Sequence, residues 1–179
     1  MPSFKRPSKR PHKSRSTLLL VQFTNEVEAF RIPRKKLTEV LTYAYQKNPH
    51  RWQNAIPSAI DRRQAPNAYI SLAFLTDARM GELHEQFMSI EGTTDVMSFE
   101  SGSIHPSTGR VHLGDIAVCV DVARREAATR HKRVEEEVIL YALHGLLHLL
   151  GFDDVDEVSQ TVMKGKQEII LHHFGIKMD

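Results

Sequence analysis

The 179-residue chain has a single cysteine, Cys119. One thiol forms no internal bridge, so a disulfide scaffold is excluded and a reducing compartment fits. Long apolar runs are missing: none reaches the ~18 residues that a membrane-spanning helix needs. The start also lacks the apolar stretch and small-residue cleavage site of a secretory leader. The expected location is therefore the cytoplasm. With 9 glycines and 8 prolines the chain is neither collagenous nor of low complexity, and no internal repeat is visible. What remains is ordinary for a globular protein: 41% hydrophobic and 26% charged residues. At this length folding buries roughly 70% of the surface that the unfolded chain exposes.

Acidic residues are absent from the first 16 positions, which hold Lys5, Arg6, Lys9, Arg10, Lys13 and Arg15, a charge of +6. The rest of the chain carries −4, although the whole balances at +2. Pro2, Pro7 and Pro11 oppose a helix there. Residues 1–16 read as an extended basic arm, either seeking phosphate, as on RNA, or simply solvated. Residues 17–179 read as one domain.

Within that domain, Thr17–Thr24 predicts a strand. Pro33 opens a helix that runs to about Gln46 on Leu37, Val40, Leu41, Ala44 and Tyr45. Residues 47–67 read as a connection with at most a short helical turn. Ala68–Leu75 predicts a strand, and Thr76 or Asp77 caps a helix using Met80, Leu83 and Phe87. Val96–Phe99 is a short strand, 101–112 a loop, and Leu113–Val120 another strand. Asp121 caps a helix to about Arg130. A helix follows whose segment Val138–Leu150 has no formally charged residue, so it is buried on all sides. Glu135–Glu137 suit the positive end of its dipole, and Gly151 stops it. A last helix spans about Glu157–His173. This order suggests a small α/β or α+β layer around a buried central helix.

That helix carries the chemistry. His144 and His148 are four apart, so they share one face and converge on one point. Imidazole is a good zinc ligand, and a rigid helix fixes the pair's geometry. Gly151 turns the chain back, and Asp154 follows three residues later with a carboxylate. Three protein donors leave a fourth position open, as in catalytic zinc sites. Asp153 and Asp156 crowd beside Asp154, and one of the three acids is a candidate cap for the last helix. The run resembles the zincin peptidase pattern, in which a Glu general base follows the first histidine. Here that position is Gly145, which takes no proton, so peptide hydrolysis is the weaker reading.

The same run, HGLLHLLGFDD from His144 to Asp154, resembles the HGxLHLxGYDH pattern of the YbeY family of endoribonucleases and ribosomal RNA maturation factors. Thr94–Phe99 (TDVMSF) and Leu113–Ile116 (LGDI) match two further blocks of that family in order and spacing, so the resemblance covers roughly 17–175. It implies a compact α+β fold, a single layer of mixed sheet with helices around the metal-bearing one, zincin-like in plan. It implies one Zn2+ held by His144, His148 and Asp154, and cleavage of single-stranded RNA in ribosomal RNA maturation and ribosome quality control, with the small ribosomal subunit as partner. Two positions depart from the pattern. Asp154 stands where the family usually has a third histidine, a change that zinc accepts. Met88 stands where an Arg is common, which removes a planar, permanently charged phosphate contact.

No general base is evident. Asp115 and Asp95 are candidates to orient a histidine from behind, or else caps and turns. His112 is a groove or surface residue, Ser98 a substrate contact or a structural hydroxyl, and Cys119 a core residue. The three functional readings are a zinc ribonuclease, a zinc hydrolase of another class such as a peptidase, and a non-catalytic ribosome-associated factor stabilised by zinc.

Overall fold

The computed structural model describes residues 19–48 and 67–178. The basic arm and most of the 47–67 connection lie outside the described residues. Those described form a mixed four-stranded sheet and five helices, an α+β fold. Strands β1 (Leu19–Asn25), β2 (Ala68–Leu75) and β4 (Val111–Cys119) run parallel, and β3 (Val96–Glu100) pairs antiparallel with β4. The order across the sheet is β1-β2-β4-β3, which leaves β3 at an edge.

The alternation that predicted the strands also decides which way they face. Along β2, Ile70, Leu72 and Phe74 are buried, while Tyr69, Ser71 and Ala73 are only half-buried on the opposite face. Each large apolar side chain taken from water contributes roughly 1.5–3 kcal/mol, so a slip of one residue in register would lose several such terms at once.

Helix α1 (Arg34–Lys47) buries Leu37, Val40, Leu41, Ala44 and Tyr45, the apolar row expected of it. Helix α2 (Asp77–Met88) is capped by Thr76, whose hydroxyl accepts from the Arg79 amide. Helix α3 covers Val120–Thr129 and α4 Val134–Leu149. Helix α5 (Glu157–His173) is capped by Asp156, which accepts from the Val158 and Ser159 amides. That settles the choice among the three crowded acids, because Asp156 is the cap. Apolar residues fill α4 on nearly every side, and it packs against β3, β4, α1, α3 and α5.

Two expectations need correction. β4 begins at Val111, not Leu113, and Ile104 bridges Val111 across the connection. The cause is a hairpin: the His105 amide donates to the Arg110 carbonyl at 2.8 Å and the Gly109 amide to the His105 carbonyl at 2.9 Å, so the supposed loop is drawn into pairing. Asp121 does not cap α3. β4 runs straight into that helix, the cap position falls on Cys119, and Asp121 lies in the first turn. Its carboxylate instead accepts from the Asp77 amide and pairs with Arg124.

Gly145, in the middle of α4, is there for packing. A β-carbon at this position would stand 2.7 Å from Ile116 Cγ2, 2.9 Å from Ser98 Oγ and 3.2 Å from Val96 Cγ2. The bare backbone lets the helix lie directly on β3 and β4. The propensity cost of a helical glycine, about 1 kcal/mol, is offset by that approach.

Candidate metal centre

His144 and His148 project from one face of the last two turns of α4, and their Nε2 atoms lie 3.1 Å apart. Gly151 follows with φ +82°, a left-handed turn that an L side chain resists. The turn reverses the chain and returns Asp154 to the histidines: Asp154 Oδ2 is 3.4 Å from His144 Nε2, and Oδ1 is 3.6 Å from His148 Nε2. Among the described residues, this trio forms the one group of donor atoms gathered closely enough to hold an ion.

The spacing fits a metal. Tetrahedral donors at the usual ~2.0–2.1 Å from zinc are about 3.3–3.4 Å from one another, close to the observed edges. The chemistry fits as well. Burial holds the His144 pKa below its ordinary value, the neighbouring His148 pushes the same way, and Asp154 and Asp95 oppose them. A neutral ring keeps the lone pair that a ligand must offer.

One further side chain completes the setting. Gln167 of α5 reaches across to His144, its Nε2 2.9 Å from Nδ1. It was not among the candidates read from the sequence. The signal was present, since Met163, Gln167 and Leu171 form one helical row and Gln167 is its polar member.

His144 and His148 line a cleft of about 760 Å³, walled on one side by β3 and on the other by the end of α4 and the turn after it. Phe87 and Met88, both exposed, stand on its rim, with Met88 at 58% exposure. Among the described residues, the lining includes Asp95, Glu100 and Asp153 and no Lys or Arg. Ser98 lines it too, while its hydroxyl donates to the Gly145 carbonyl at 3.2 Å.

The two candidate supporting acids separate. Asp95 lines the cleft and acts on His144 through its charge. Its carboxylate, however, accepts from the Val96 amide and the Thr94 hydroxyl, its immediate neighbours in the chain. Asp115 is not brought to the histidines. In β4 its side chain leaves the face that packs on α4 and meets His112, Nε2 to Oδ1 at 3.2 Å. His112 stacks on Tyr69 with ring centroids 4.5 Å apart, away from the cleft. Cys119 is fully buried against Asp77 and Thr93.

A mixed sheet, a buried helix bearing two histidines and an edge strand beside them define an α+β protein with a helix-borne candidate metal centre. The family model described as Endoribonuclease YbeY matches residues 40–175. Curated relatives agree. An Endoribonuclease YbeY of Bifidobacterium longum subsp. infantis is 34% identical over 65% of this chain and 67% of its own length. One from Clavibacter michiganensis is 35% identical over 69% and 85%, and one from Beutenbergia cavernae 37% identical over 61% and 76%. A solution structure of TM1509 from Thermotoga maritima aligns over 87% of this chain and 92% of that one, at 19% identity and a TM-score of 0.49. The chain belongs to the YbeY endoribonuclease family. No helix among the described residues is long and apolar enough to cross a membrane.

Proposed function

We propose that the protein is a single-strand-specific, zinc-dependent endoribonuclease of ribosomal RNA maturation and ribosome quality control, working on the small ribosomal subunit in the cytoplasm. The observation that carries this reading is the triangle of His144, His148 and Asp154, with metal-ligand spacing, whose two histidines line an open cleft in a chain of this family. In this reading α4 is the zincin-like central helix.

When bound, the ion supplies Lewis-acid polarisation of a phosphoryl oxygen and acidifies water. The protein's own groups do the rest. His144 and His148 hold two donor positions on a rigid helix, and Asp154 contributes one negative charge from the turn. The cleft admits a flexible strand beside β3, where Ser98 and the rings of Phe87 and Phe99 are to hand; base–aromatic stacking suits single strands. Among the described residues the lining offers no lysine or arginine, which leaves backbone phosphates to be held from outside it, and the basic arm is the natural source.

The test uses purified protein with single-stranded RNA, double-stranded RNA and casein, with and without a chelator. Chelator-sensitive cutting of single-stranded RNA alone is the expected result. Cutting of casein would favour a peptidase, against which Gly145 already speaks. No cutting with zinc present would favour a non-catalytic factor, the reading that Met88 keeps open.

A further inference from the structure

Gln167 is 7% exposed in a helix row that is otherwise apolar. An amide in such a place costs stability unless it is hydrogen-bonded. Its partner is the outer nitrogen of His144, not a backbone group. The bond crosses from α5 to α4, so it fixes the ring against a second helix.

The choice of nitrogen matters. His144 Nε2 faces His148 and Asp154, and it is the atom able to ligate. A ligand nitrogen carries no proton, so ligation through Nε2 requires the ring proton on Nδ1. In this structure the amide nitrogen is the atom that faces Nδ1; a half-turn of the amide brings its oxygen there to accept from Nδ1–H. Turned the other way, its NH2 donates to a bare Nδ1, and the proton then sits on Nε2, where it blocks the metal. The second histidine has no such companion: among the described residues its ring contacts are His144 and Asp154.

We propose that Gln167 is a positioning residue for the metal centre: its amide oxygen holds His144 in the Nδ1–H tautomer with Nε2 aimed at the ion. This rests on the metal-centre reading given above. Metal ligands in general depend on such outer partners, whose loss weakens affinity about 10- to 100-fold. Gln167 supplies that hydrogen bond without adding a charge, so Asp154 remains the one anion of the ligand set.

The experiment titrates zinc into full-length protein by chelator competition for the wild type, Gln167→Met and Gln167→Glu. Nitrogen-detected NMR of the histidine rings reports where the His144 proton sits in the zinc-loaded protein. Methionine keeps the length and apolar packing but offers no strong acceptor, whereas a carboxylate keeps the acceptor. Gln167→Met is expected to bind zinc about 10- to 100-fold more weakly, with the hydrogen-bonded Nδ1–H signal lost. Gln167→Glu is expected to restore both. A packing role would give the opposite order, because methionine suits an apolar row better than glutamate. Wild-type affinity in Gln167→Met, or no rescue by Gln167→Glu, overturns the proposal and leaves the ligands standing. A wild type that binds no zinc overturns the metal centre itself and the role of Gln167 with it.

Discussion

The backbone of Gly145 rests on the side chain of Ile116 so closely that a β-carbon there would come within 2.7 Å of Ile116 Cγ2. That contact seats α4 on the sheet and so fixes where His144 and His148 stand.

Replacing Gly145 by alanine is therefore expected to destabilise the protein by about 1–3 kcal/mol, as overpacking does, even though alanine is the better helix former by about 1 kcal/mol. For a chain of this size the melting temperature should fall by roughly 2–12 °C. A thermal melt checks it, and an unchanged or higher melting temperature would show that the strands give way.

His148→Ala is expected to remove bound metal and RNA cleavage together while leaving the fold intact, because the ring is partly exposed and its contacts are the other two donors. Elemental analysis and circular dichroism on the same sample decide it. Full zinc content in the variant would disprove the assignment of the ligands.

Acid should loosen the metal-free protein through His144. Its pKa in the fold lies below the ordinary 6.5, chiefly through burial. Below pH 6.5 the unfolded chain takes up a proton that the folded chain still refuses, so stability falls as the pH drops toward the folded value. Above that ordinary value both states are neutral and the effect vanishes. Melts between about pH 5 and 7.5 should slope less steeply for His144→Gln than for the wild type. Equal slopes would refute the link.

Met88→Arg should raise affinity for a single-stranded RNA and steepen its salt dependence by about 0.7 for each phosphate newly engaged. Met88 is an exposed side chain on the rim of a cleft whose lining, among the described residues, holds no Lys or Arg. Anisotropy titrations at several salt concentrations measure both quantities. No change in either would mean that the backbone of the RNA passes elsewhere.

Deleting residues 1–16 should weaken RNA binding mainly at low salt, where screening is least. Six positive charges engaging a single strand correspond to a loss of up to about four units of salt slope. An unaltered slope would assign the arm no part in binding.

Much of this arrangement was legible in the residues themselves, for reasons that can be named. The strand Ala68–Leu75 and the helix Glu157–His173 were bounded correctly because periodicity and caps act locally. The gathering of His144, His148 and Asp154 was equally local: one helical turn and one glycine bring them together. What escaped depends on partners distant in the chain. The pairing that extends β4 back to Val111 comes from across a hairpin. Asp115 reads like a supporting acid until the sheet turns it toward His112. Gln167 lies 23 residues beyond His144, and only the packing of two helices makes them neighbours.

The three donors of the centre span just eleven residues, 144 to 154. Closing so short a loop costs little chain entropy, and none of its members is supplied by a strand. The sheet therefore supplies none of the donors and acts on them only through the helix that it carries.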